Sequence, residues 1–174
     1  MMFSPNRAIE ILRATPGTLQ AMLGELPTEW TESAPEGGGW TPFDVVGHLI
    51  HGEETDWIPR LRIILEHGPA RTFDSFDRYA QFEKSAGKTL QELLDEFEGL
   101  RRRNLETLRE LELGADQLVL RGNHPELGTV TASQLLATWA VHDLNHIAQI
   151  ARTLALSWAP EVGPWREYLG ILRE

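Results

Sequence analysis

Four stretches of the chain repeat apolar residues at spacings of three and four, the period of a helix that buries one face. The first runs from about Pro5 to Leu26, with Leu12, Thr15, Leu19, Met22 and Leu26 on its inner side, and Ser4-Pro5 reads as a cap followed by a first-turn proline. Pro16-Gly17 interrupts it, which predicts a kink or a restart capped by Thr15. The second opens with Thr41 as cap, Pro42 at the first position and Asp44 in the first turn. It continues to about Glu66 through Val45, Leu49, Leu61 and Ile64, with a bend expected at Pro59. The third starts at Thr89, where Glu92 completes a capping box, and ends near Gly114; Leu90, Leu94, Phe97, Leu105, Leu108 and Leu111 line it. The fourth starts at Thr131 with Gln134 in the same role and reaches about Leu156.

Between them lie a turn-rich stretch, Ser33 to Gly39, and two long connections. Residues 67–87 exceed the ~2–8 residues usual between bundle helices, so that segment is functional or holds a short helix of its own. Residues 115–130 carry Arg121-Gly122-Asn123-His124-Pro125 and Gly128. The tail from Pro160 predicts a short helix around Trp165 to Leu172. Leu118-Val119-Leu120 is the only β-like run, with no alternation or hairpin signal of any length. The expectation is an all-α antiparallel four-helix bundle with long interhelical connections and a short C-terminal helix, residues 1–174 forming one domain.

Charge narrows the partners. Sixteen basic against 26 acidic residues give a net charge of −10, which argues against a nucleic-acid surface. The one basic run, Arg101-Arg102-Arg103, reads as the wet face of a helix. With no cysteine there is no disulfide, thiolate metal site or cysteine nucleophile. The N-terminal residues show no signal-peptide pattern, and no apolar run approaches the ~20 residues of a membrane span, so the expectation is a cytoplasmic protein without a membrane partner.

The residues that break the apolar pattern carry the chemistry. The seam of the fourth helix passes through Leu135, Trp139, His142, His146, Ile150 and Thr153, so two imidazoles one turn apart occupy core positions. His48, three residues after Val45 on the second helix, faces the interior as well, with Gly52 leaving room beside it. Two histidines from one helix and one from another offer three neutral nitrogen donors and leave coordination positions open, as catalytic metal sites do. Imidazole suits zinc, nickel, copper, iron and cobalt alike. A pair of satisfied core histidines is the plainer reading, and the third histidine weighs against it. His51, rotated to the flank, fits a pocket wall, a proton carrier or a polar rim. His124 can reach the mouth of the site from its loop, and His67 suits a helix C-terminus.

His142-Asp143-Leu144-Asn145-His146 is an H-D-x-x-H pattern, similar to the zinc-protease helix in which a glutamate is the general base. Aspartate is shorter and no downstream third ligand follows, so Asp143 fits better as a carboxylate that orients a histidine or binds a loop over the site. A di-iron centre lacks its second Glu-x-x-His motif and its glutamates. Trp40, Trp57, Trp139 and Trp158 flank the proposed site helices, as pocket walls or as core. Arg60, Arg62 and Arg121 are the local cations that can receive an anionic substrate.

Several segments taken in order resemble the DinB-like superfamily of small bacterial four-helix proteins. They are Ala14 to Leu19, Gly39 to Leu49 with Glu53-Glu54, Leu90 to Leu94 with Arg101, and Gly128 to Thr131 running into His142 to Gln149. The resemblance covers most of the chain. It implies a divalent metal held by His48, His142 and His146, zinc or nickel first, with iron, manganese or cobalt compatible. It also implies a homodimer, and chemistry such as thiol S-transfer or isomerisation with a low-molecular-weight thiol as cosubstrate and a small molecule as substrate. In such chemistry the metal lowers the thiol's pKa so that it attacks an electrophile as the thiolate. Hydrolysis ranks below thiol transfer, and a non-catalytic stress or binding bundle with a structural or absent metal is the reading from another class. No motif carries the acid or base; His51 and Asp143 are the candidates.

Overall fold

The computed structural model describes residues 4–34 and 38–173. Residues 35–37 of the expected turn-rich stretch, and the first three residues of the N-terminal segment, lie outside the described residues. The elements are α1 (Pro5–Leu23), α2 (Thr28–Thr31), α3 (Pro42–Thr55), α4 (Trp57–His67), α5 (Ala80–Ser85), α6 (Leu90–Glu110), α7 (Ala115–Leu118), β1 (Arg121–His124), β2 (Gly128–Thr131) and α8 (Ala132–Leu156). Helix α1, the bent pair α3–α4, α6 and α8 are the four arms of a four-helix bundle. Helix α1 packs on both α6 and α8, and α3 packs on α6.

Local chemistry fixes where three of the arms begin. Thr41, Thr89 and Thr131 each accept the N–H of the residue three further on, and Asp44, Glu92 and Gln134 accept the threonine N–H in return. Two backbone donors of each first turn are thereby satisfied, so the helices start at these threonines.

The prolines act by what they remove. Helix α1 runs unbroken through Pro16, which has no N–H for the carbonyl of Leu12 four residues earlier. That freed carbonyl accepts from Arg101 Nη1 at 2.7 Å. Pro59 stands four residues after Thr55, where α3 ends; the chain breaks at Asp56 (φ −106°, ψ −68°) before α4 resumes. The expected bend is a one-residue break, after which Trp57 stacks on Trp139 of α8.

Arg101 corrects the reading of the basic run. Arg102 and Arg103 are exposed, but Arg101 is 1% exposed. Its guanidinium forks onto Asp143 of α8 (Nη1 to Oδ2 2.5 Å, Nη2 to Oδ1 3.0 Å) and donates to Glu53 of α3 at 2.7 Å. Glu53 also accepts from Trp139 Nε1 (2.9 Å) and Asn104 Nδ2 (2.9 Å). Burial alone would lower the pKa of Arg101, but Glu53 and Asp143 outweigh it and hold the cation charged. Each arm of the bundle thus places at least one group in a buried polar layer. On one side Leu12, Leu61, Ile64, Leu108, Leu136 and Trp139 pack together; on the other, Leu19, Val46, Leu49, Leu93, Phe97 and Ile150 do.

The connections depart furthest from expectation. The segment 67–87 does hold a short helix, α5, which lies directly on α3: a Cβ at Gly47 would meet Ser85 Oγ at 2.5 Å. The segment 115–130 forms an antiparallel hairpin with Arg121 opposite Thr131 and His124 opposite Gly128. It has polar residues and a short loop closed by Gly128 at φ +72°, so turn geometry rather than apolar alternation makes it. Leu118-Val119-Leu120, expected as the β-like run, lies outside it. Gly122 lets the hairpin sit on the core, since a Cβ there would strike Ile64 and Phe73 within 3 Å. The expected short helix of the tail takes 3₁₀ form, in two pieces, Gly163–Tyr168 and Gly170–Leu172. No helix among the described residues is long and apolar enough to cross a membrane.

Removing Arg101 leaves two buried carboxylates without their cation. Arg101→Leu is expected to lower the unfolding free energy by about 3–5 kcal/mol, read by urea denaturation. Exposed Arg102→Leu should stay within about 0.5 kcal/mol of the parent.

Candidate metal centre

Helix α3 is buried from Val45 to Glu53, and His48 sits in the middle of that run. His142 and His146 lie one turn apart on α8, on the seam that also buries Trp139 and Ile150. The structure brings the three together. His142 Nε2 is 3.1 Å from His48 Nε2 and 3.1 Å from His146 Nε2, and one nitrogen from each ring lies within 4.8 Å of the others.

The rings are held neutral. Burial, then His146, His51 and Arg78 lower the pKa of His48 to about 4, opposed by Gln81. Burial, then His146, His48 and Arg101 lower that of His142 to about 3. Burial also lowers His146. His146 Nδ1 lies 2.8 Å from Gln149 Oε1; a carbonyl oxygen only accepts, so Nδ1 carries the proton and Nε2 presents its lone pair. The buried Gln81 of α5 stands beside His48, although among the described residues neither its amide nor His48 Nδ1 completes a hydrogen bond.

Three neutral rings with their Nε2 atoms at one point fit a cation. One proton cannot satisfy both contacts of His142 Nε2, so hydrogen bonding alone leaves lone pairs opposed. Metal–nitrogen bonds of ~2.0–2.1 Å put tetrahedral ligand nitrogens roughly 3.3 Å apart, close to the spacing seen. Trp40 (4.9 Å between centroids) and Phe76 (5.4 Å) pack on His48, and Trp57 (5.1 Å) on His142. Trp57 stacks in turn on Trp139 at 5.8 Å, which bonds to Glu53. The histidines are therefore tied to the polar layer through a chain of aromatic contacts. Trp158 packs on Trp30 instead.

A pocket of ≈ 210 Å³ opens beside His48 and His142. Gly52, Asp56, Arg60, Phe76, Arg78 and His124 line it. His124 therefore does reach the mouth; its Nδ1 accepts from the N–H groups of Glu126 (3.1 Å) and Leu127 (3.2 Å). Gly52 keeps room for Trp57, whose Nε1 would lie 3.3 Å from a Cβ there. Arg62 and Arg121 are exposed and do not line the pocket, whereas Arg60 does.

The two candidates for acid or base stand elsewhere. Both Asp143 oxygens are engaged by Arg101, and the residue is 0% exposed, so its carboxylate holds the bundle together and does not line the pocket. His51 packs on Phe76, with Nδ1 3.4 Å from Lys84 Nζ. Asp56 is the group that sequence reasoning missed. It lines the pocket, lies 2.5 Å from Arg60 Nε, and has its pKa raised to about 6, because burial outweighs the arginine. The i,i+4 spacing of Asp56 and Arg60 was the available signal, but only the break before Pro59 gives it a place.

A profile of the DinB superfamily matches residues 11–150. YfiT from Bacillus subtilis, described as a probable metal-dependent hydrolase with an unusual four-helix bundle topology, superposes with a TM-score of 0.73 at 23% identity, over 90% of this chain and 87% of that one. TT2238, described as a four-helix bundle protein, superposes with a TM-score of 0.59 at 21% identity, over 85% of this chain and 98% of that one. At such identities the likeness establishes the fold. Among curated proteins no sequence match reaches significance.

The lowered pKa of His142 has a measurable sign. Its folded value lies below the ordinary 6.5, so its contribution to stability is complete above pH 6.5 and is lost as pH falls toward 3. In the metal-free protein, the unfolding free energy should fall between pH 6 and 4.5 more steeply than in His142→Gln, by about 1.4 kcal/mol per pH unit. Parallel profiles in urea titrations would mean that the ring is already charged.

Proposed function

This chain belongs to the DinB superfamily, and on that footing we propose that it is a metal-dependent enzyme acting on a small molecule, with His48, His142 and His146 as ligands of a divalent cation. One observation carries the reading: the three Nε2 atoms meet beside a pocket, and among the described residues no fourth protein donor joins them. Structural sites close with four protein ligands, whereas catalytic ones keep a position open. A non-catalytic bundle with a structural metal would need that fourth ligand, and His51, the nearest candidate, faces Lys84. Neutral imidazoles suit zinc or nickel first, with iron, manganese and cobalt compatible. Bound there, the cation supplies a Lewis acid and eases deprotonation of a water or thiol at its open face.

The chain supplies the proton carrier. Asp56 faces the pocket, ionised at neutral pH yet with a proton affinity raised by burial, which suits a general base. It takes the proton of the nucleophile and returns it to the leaving group. Arg60 keeps the carboxylate in place, and Trp57 and Phe76 pack on the rings of His142 and His48. The reaction we favour is S-transfer from a low-molecular-weight thiol to an electrophilic small molecule, or the related isomerisation. Hydrolysis uses the same proton path with water, and the fold shared with YfiT favours it as the second reading. We extend the proposal to a homodimer, because Val141 (63% exposed) and Leu144 (48% exposed) lie on the outer face of α8.

Elemental analysis of protein purified without an affinity tag should find one divalent cation per chain, absent from His48→Ala. A metal-free parent would refute the site. For Asp56 the folded pKa lies above the ordinary 3.8, so its ionisation costs stability above pH 6 and costs nothing below pH 3.8. Asp56→Asn should therefore raise the denaturation midpoint of metal-free protein at pH 7.5 and leave it unmoved at pH 3.5. It should also cut turnover by about 10²–10⁴; turnover that survives the substitution excludes Asp56 as the base.

A further inference from the structure

We propose that the pocket beside the histidines receives an oxyanion, the carboxylate or phosphate of its substrate, on Arg60, Arg78 and His124, while the reacting centre faces His48 and His142. The inference rests on the metal-enzyme reading above and adds the charge of the substrate to it.

Arg60 is the fixed part of the seat. It is 7% exposed, its Nε lies 2.5 Å from Asp56, its Nη2 donates to the carbonyl of Asp74 at 3.4 Å, and its guanidinium lies over Phe73 at 5.4 Å. Among the described residues nothing accepts from Nη1. A guanidinium is a planar donor fork suited to carboxylate and phosphate, and here it is already oriented. Arg78 is the open part. It lines the same pocket, lies near enough to His48 to lower its pKa, and forms no ion pair among the described residues. His124 adds a neutral donor: with Nδ1 accepting two backbone N–H groups, its proton is on Nε2.

The opposing charges are Asp56, which is partnered by Arg60, and Glu126 at the rim. Arg78 is then the guanidinium of the wall that pairs with neither carboxylate among the described residues. On a chain of net charge −10, the distant field repels an anion, so attraction has to come from local cations. A pocket for a neutral or cationic substrate gains nothing from the buried Arg60, whose Nη1 has no acceptor among the described residues.

The test is calorimetric titration of the zinc-loaded protein with three thiols of similar size: 3-mercaptopropionate (anionic), 2-mercaptoethanol (neutral) and cysteamine (cationic). The expected order is anionic, neutral, cationic, with at least about a tenfold advantage for 3-mercaptopropionate over 2-mercaptoethanol. The advantage should disappear in Arg78→Gln and in Arg60→Met, and persist in Arg62→Gln, which alters an exposed arginine outside the pocket. Equal affinity for the three thiols, or an advantage that survives in Arg78→Gln, overturns the proposal. A protein that takes up no zinc refutes the metal reading alone. The seat is then tested by titrating propionate into ¹⁵N-labelled metal-free protein and following the Trp57 indole resonance. A saturable shift that Arg78→Gln abolishes supports the seat, and no shift overturns it.

Discussion

The structure depends on one buried cation. Arg101 reaches Leu12 of α1, Glu53 of α3 and Asp143 of α8 from its own place on α6, so a single guanidinium touches every arm of the bundle. Each contact answers a local need. Pro16 frees the Leu12 carbonyl, and the two carboxylates are buried where only a cation can balance them. Apolar packing above and below this layer is compatible with several helix registers, because leucines interdigitate in more than one way. A four-way charged bond is far less tolerant of a shift, since sliding any helix by one residue removes a partner.

That register has a chemical consequence. Glu53 lies five residues beyond His48 on α3, and Asp143 directly follows His142 on α8. Fixing the carboxylates fixes the stretches that carry the histidines. The contacts from Glu53 to Trp139, from Trp139 to Trp57 and from Trp57 to His142 carry the constraint to the ring faces. The layer is thus the outer support of the site, in the way that metal ligands elsewhere are oriented by the groups behind them. It also gives Asp143 a physical role beside a histidine without making it the base.

How much of this could be read from the chain depended on the range of the interaction. The arms and their starts were legible, because a threonine and its partner three residues on make a capping box by themselves. The three histidines were legible too, since an imidazole in an apolar seam is a visible mismatch. Arg101 was misread because its burial depends on residues 42 and 48 positions away, and three consecutive arginines look alike until partners distinguish them. Asp56 became a pocket residue only through the break before Pro59, and Gln81 only because Gly47 lets α5 lie on α3. The hairpin escaped notice because its residues are polar and its turn, closed by Gly128, does the work of an apolar pattern.

The centre consists of three imidazole nitrogens brought together with a side left open to the pocket. X-ray absorption at the zinc edge of the metal-loaded protein measures that arrangement directly. The expected result is three imidazoles at ~2.0–2.1 Å and one lighter oxygen ligand from water or buffer. Four protein ligands would turn the centre into a structural one. Fewer than three imidazoles would contradict the register that Arg101 is held to impose.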